Sequence, residues 1–147
     1  MVQHPQVRDD GIREFVLVEG EDDGPTITFT QKDVRELQLA KGAMRTGIEV
    51  LLNDNGLSAE EVDQVIIAGA FGTYIDVSSA IAVGMLPRLP LDRFRQVGNA
   101  AGMGARLALV SRSKRAEARD LARRVQYIEL ASDPLFNKTF VQAMRLG

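Results

Sequence analysis

A chain of 147 residues, 45% apolar with a mean hydropathy of −0.08, has enough material for one domain with a buried core. Its formal net charge of −2 and isoelectric point near 5.4 give no basis for binding nucleic acid or an anionic membrane. Cysteine is absent, which excludes disulfides, a thiol nucleophile and any cysteine-held iron–sulfur or zinc centre within these residues.

No apolar run reaches transmembrane length and no signal-peptide pattern opens the chain, so a cytoplasmic protein is expected. Residues 1–13 are polar, carry Pro5 and Gly11, and are expected to form a disordered leader. The single histidine, His4, falls there and reads as a terminal residue, not a ligand. Residues 14–147 are expected to form one lobe. Glu14 to Val18 reads as a strand, Gly20 to Pro25 as a turn, and Thr26 to Thr30 alternates polar and apolar like a half-exposed strand. Together they predict an antiparallel hairpin. The acidic residues between Glu19 and Asp23 show no repeated ligand spacing, which favours a solvated loop over a cation site.

Thr30, with Asp33 three residues on, predicts the start of a long helix. Val34, Leu37, Ala40, Met44, Ile48 and Leu51 recur at helical steps and mark its expected buried face, and Gly56 ends it. Ser58 and Glu61 predict a second cap. Val65 to Ala68 reads as a fully buried parallel strand that stops at Gly69-Ala-Phe-Gly72, with Asp76 capping a helix from Val77 to Val83. Two prolines break the chain between Met85 and Pro90. Phe94 to Val97 reads as a strand and runs into a second glycine-rich corner, Gly98 to Gly104, that opens a helix reaching Val110. Ser113 is expected to cap a charged helix to Arg124, Val125 to Leu130 to form a last strand, and Pro134 to open a final helix whose apolar side holds Phe136, Phe140, Val141 and Met144. This order predicts an α/β fold: a mixed sheet with an antiparallel edge hairpin, parallel inner strands and helices on both faces.

Parallel strands end on one side of a sheet, so both glycine corners are expected to line one crevice. Gly98 to Gly104 lacks the G-x-G-x-x-G spacing, and no Walker-type loop is present, which removes the two commonest phosphate fingerprints. On the long helix, Gln38, Lys41, Gly42 and Arg45 share a face. Glycine inside a helix costs about 1 kcal/mol relative to alanine, so Gly42 needs a reason. Two are open: a flat patch for a planar base between cations, or room for a neighbouring helix. Glu36 and Asp76 are the only carboxylates near the expected crevice, and Asp76 reads first as a helix cap.

Three segments carry a resemblance: Asp33 to Ile48 (DVRELQLAKGAMRTGI), Val65 to Asp76 (VIIAGAFGTYID) and Gln96 to Ala105 (QVGNAAGMGA). Together the chain resembles, from about Glu14 to Met144, the C-terminal ASKHA domain of reductive activators of corrinoid enzymes, relatives of actin-like and RNase H-like ATPases. The resemblance implies the nucleotide-side lobe of a larger ATP-dependent protein that passes electrons from a [2Fe-2S] domain to a corrinoid cobalt. It implies ATP or ADP as ligand, with magnesium held by another lobe and the [2Fe-2S] cluster by an N-terminal domain outside this chain. Partners would be a corrinoid protein or another electron acceptor, with a homodimer compatible. The implied nucleotide-binding residues are Gln38, Lys41, Gly42, Arg45, Gly69, Ala70, Phe71, Gly72, Asn99 and Gly102. Ala70 stands where the family's adenosine motif has a second glycine, which narrows the approach to a base. No catalytic or metal-binding residue is implied, so the chain alone is expected to be inactive, the full-length protein an ATPase. The competing expectation is a non-catalytic actin-like domain that serves self-association or partner docking.

Overall fold

The computed structural model describes residues 5–7, 11–20, 24–134 and 136–146. The order of elements is β1 (Pro5–Val7), β2 (Arg13–Val18), β3 (Ile27–Thr30), α1 (Gln31–Asp54), β4 (Val65–Ala68), α2 (Val77–Ala82), β5 (Phe94–Gly98), α3 (Ala100–Val110), α4 (Arg112–Arg124) and α5 (Phe136–Ala143). The fold is α/β with the expected antiparallel hairpin, β2 against β3, pairing Phe15 with Phe29. Single-turn 3₁₀ helices fill several of the connections.

Local chemistry explains most boundaries. Thr30 and Asp33 form a reciprocal capping box: the Asp33 amide donates to Thr30 Oγ1, and the Thr30 amide donates to Asp33 Oδ2 at 2.8 Å. At the other end of α1, Gly56 takes φ +64°, a conformation that releases the chain from the helix. Asp76 caps α2 by accepting from the Ser79 amide at 2.7 Å and from Ser78 Oγ at 2.7 Å. Those hydrogen bonds, the one from Ser79 first, hold its carboxyl below the usual carboxylate range.

Several expectations are corrected. The residues of β1, expected in a disordered leader, pair antiparallel with β2 over Pro5 to Val7; His4 and the acidic residues 21–23 lie outside the described residues. The strands form two sheets, β1-β2-β3 and β4-β5, among the described residues. Residues 125–129, expected as a last strand, join neither sheet: β composition favours a strand only where cross-strand packing supports it. β4 is not fully buried: Ile66 is 59% exposed on the open face of a two-stranded sheet. The cap of α4 is Ser111, not Ser113.

The most informative correction concerns α1. Its packed face is Lys41, Gly42, Thr46 and Val50, while Ala40, Met44 and Leu51 of the predicted apolar stripe are exposed. α5 decides this. It lies along α1 at Gly42, where an added Cβ would stand 3.0 Å from Met144 Cγ and 3.3 Å from Phe140 Cε2. Close approach to α5 therefore accounts for the glycine. Phe136 and Phe140 stack at 5.7 Å on this helix. Among the described residues the remaining core is small: Val16, Val50, Ala80, Leu86 and Leu89, the last two from the proline-rich loop after α2.

The chain exposes 11349 Å², whereas a compact monomer of its mass exposes about 7,400 Å². α3 is apolar yet has no buried residue, and Leu109 and Val110 are 77% and 75% exposed. An isolated domain rarely leaves such a surface uncovered.

Two outcomes are expected. Gly42→Leu forces a branched side chain into the α1–α5 seam and should destabilise by about 2 kcal/mol or more, whereas Gly42→Ala, whose single Cβ would press on Met144 Cγ at 3.0 Å and the Phe140 ring at 3.3 Å, should destabilise by less. Urea unfolding of the three proteins checks this. The second concerns pH. The folded-state pKa of Asp76 lies below its unfolded value, so its contribution is present at neutral pH and is lost as pH falls through the folded value. Asp76→Ala should unfold at lower urea than the parent at pH 7 and coincide with it in acid; an offset that persists unchanged in acid would contradict the cap.

Candidate functional site

β4 and β5 run parallel and adjacent, pairing Val65 with Phe94 and Ala68 with Gly98. Their C-terminal ends therefore deliver both glycine corners to one edge, as the spacing predicted. The join is direct: the Gly69 amide donates to the Gly98 carbonyl at 2.7 Å. Gly69 has φ +103° and Gly98 φ +61°, both in the region that disfavours side chains.

In the first corner, the backbone of Phe71 opens a 3₁₀ turn to Thr73, closed by the Gly72 amide donating to Gly69 O at 3.1 Å. Thr73 Oγ1 donates to Ala70 O at 2.5 Å. Gly72 is required sterically, since a Cβ there would come 2.8 Å from Ile67 Cγ2. Ala70 is exposed. In the second corner, Asn99 caps α3, its Oδ1 accepting from the Gly102 amide at 2.9 Å. A Cβ on Gly102 would lie 2.6 Å from Asn99 Nδ2, so the glycine makes room for the cap. The site thus presents backbone and a helix N-terminus, with little side chain in the way. That suits a ligand lying flat against the chain or carrying negative charge.

Gln96, not among the residues the sequence assigns to the site, straps the two corners. Its Nε2 donates to Gly72 O at 2.6 Å and to Ile75 O at 2.8 Å. An amide among the apolar residues of a strand was the available signal. Arg93 does similar work below, donating from Nη1 to the carbonyls of Glu60 and Val62 and so tying the start of β5 to the turn before β4.

The α1 residues stand in a different setting. Gly42 is under α5, Gln38 is half-buried, and Lys41 is 2% exposed, with Nζ donating to the Arg145 carbonyl at the end of α5. Burial first, then neighbouring Arg45, pushes the Lys41 ammonium down from the usual lysine range. Arg45 pairs with Glu49 at 2.6 Å. Lys41 and Arg45 line a cleft of about 450 Å³ between α1, the end of α2 with its following loop, and α5. No residue of either glycine corner lines it.

Asp76, as a cap, has its carboxylate engaged with Ser78 and Ser79, and Glu36 is exposed on α1. Among the described residues no group of three or more His, Asp or Glu side chains converges as a metal site. No helix of the described residues is long and apolar enough to cross a membrane.

Comparison with known proteins gives a consistent picture. The family described as the C-terminal domain of RACo, the ASKHA domain, matches residues 1–147. The corrinoid activation enzyme RamQ of Eubacterium limosum is 40% identical over 133 residues, which cover 90% of this chain and 22% of that protein. The [Co(II) methylated amine-specific corrinoid protein] reductase of Methanosarcina barkeri is 28% identical over 120 residues, 80% of this chain and 22% of the relative. The solved structure of a reductive activator for corrinoid, iron–sulfur protein superposes with a TM-score of 0.84 at 38% identity, over 97% of this chain and 23% of that one. The chain thus spans less than a quarter of the length of these relatives. On its sequence motifs, its fold and this full-length match, the chain belongs to the family of RACo C-terminal ASKHA domains.

Proposed function

We propose that this chain is the nucleotide-side lobe of an ATP-dependent reductive activator of corrinoid proteins. In the whole protein, ATP would drive the uphill passage of electrons from a [2Fe-2S] domain to a corrinoid cobalt. The observation that carries the nucleotide assignment is the 2.7 Å bond from Gly69 N to Gly98 O, which sets two glycine corners side by side at the ends of parallel strands. Gly69, Ala70, the Phe71 backbone and Gly72 would lie along base or ribose, with Asn99 and Gly102 at the start of α3 closing the second side. These residues fit a nucleotide's flat and sugar portions: the backbone is open at Gly69 and Gly98, and Ala70 adds one exposed methyl to the approach.

This lobe has no cysteine for an iron–sulfur cluster. Among the described residues it has no carboxylate cluster for magnesium. Phosphoryl transfer depends on placed metal and phosphate donors, so this chain by itself would bind and not turn over. The exposed apolar α3 and the surface in excess of a compact monomer support the reading that further polypeptide completes the lobe. The same surface favours, as a second reading, a lobe kept for docking, with the crevice a packing seam.

Calorimetric titration with ATP separates the two. Under the nucleotide reading the chain binds ATP saturably and hydrolyses none, and Ala70→Leu lowers affinity at least tenfold, about 1.4 kcal/mol, without lowering the thermal midpoint. No saturable heat at millimolar ATP would sink nucleotide binding for this lobe and leave the docking reading.

A further inference from the structure

The cleft beside Lys41 is separate from the glycine corners and is unusually basic for an acidic chain. Lys41, Arg45, Arg88 and Arg145 line it against Glu49 and Glu60, while the whole chain carries −2. The cations come from α1, from the loop after α2 and from the end of α5, so they approach the space from three directions. Among the described residues the guanidinium groups of Arg88 and Arg145 have no ion-pair partner.

Lys41 sharpens the reading. An ammonium has three N–H donors, and the 2% exposed Lys41 spends one on the Arg145 carbonyl. The remaining donors belong to a buried cation that lines the cleft, where desolvation is costly without a partner. Gly84 keeps the space open, since a Cβ there would stand 3.2 Å from Lys41 Nζ. A volume of about 450 Å³ is that of a small-ligand pocket.

We propose that this cleft binds a compact phosphate-bearing anion, held by Lys41, Arg45, Arg88 and Arg145. Donors converging from three segments match the several oxygens of a tetrahedral phosphoryl group better than one planar carboxylate. The inference does not rest on the nucleotide reading, because no corner residue lines the cleft.

The test is calorimetric titration of the chain with inorganic pyrophosphate. Arg88 is exposed, so Arg88→Ala leaves the packing intact, and Arg119→Ala on exposed α4 removes an equal charge elsewhere. Expected are saturable one-to-one binding, a loss of at least tenfold in Arg88→Ala, and parent affinity in Arg119→Ala. No saturable binding, parent affinity in Arg88→Ala, or equal losses in both variants would overturn the site. ATP titrated into the same proteins identifies the source. An ATP affinity that falls with Arg88→Ala makes nucleotide phosphates the occupant, and one indifferent to it makes the occupant a free phosphate compound; both uphold the cleft. If ATP fails to bind while pyrophosphate binds and depends on Arg88, the corner assignment falls and the cleft stands.

Discussion

The hydrogen bond from the Gly69 amide to the Gly98 carbonyl is the constraint that joins the two glycine corners at one edge. It forms where both residues adopt positive φ and the β4–β5 register shifts between Ile67 and Ala68, so the two chains turn while still paired. A two-stranded sheet has little stability of its own. Gln96 and Arg93, donating to backbone carbonyls of the neighbouring turns, supply the side-chain struts that hold the corners in place. The acceptors at this edge are largely backbone carbonyls, reached by both backbone and side-chain donors.

The other half of the lobe is organised by α1 and α5. Gly42 lets the two helices approach, and Lys41 places a buried charge against the carbonyl end of α5, where a cation is electrostatically favoured. That geometry explains how one helix face serves both packing and the lining of the basic cleft. It also leaves the more apolar stripe of α1, with Met44 and Leu51, facing outwards. Together with α3 this stripe leaves a broad apolar surface exposed on a chain that spans less than a quarter of the length of its relatives.

What was legible in the sequence was what local chemistry decides. The caps at Thr30, Ser58 and Asp76 bond within three residues of themselves, so their spacing alone predicts them. The corners at Gly69 and Gly98 were legible for the same reason, and their meeting at one edge followed from the parallel-strand rule. Choices that depend on a distant partner were not legible. Periodicity placed α1's apolar stripe inwards, but the helix that packs on it selects the small residue at Gly42. Val125 to Leu130 has strand composition, yet it joins neither sheet. Pairing of Pro5–Val7 with β2 likewise depends on a neighbour that composition does not reveal. Lys41 and Arg45 share a helix face by their spacing alone, while Arg88 and Arg145, about 40 and 100 residues further along the chain, reach the same cleft only through the fold.

The most direct measurement of the central claim, that the two glycine corners hold one nucleotide together, is amide hydrogen exchange with and without saturating ATP. The account predicts slowed exchange confined to residues 69–73 and 98–103, with both segments protected to the same extent as ATP is raised. Protection of one corner without the other, or of neither, would contradict it.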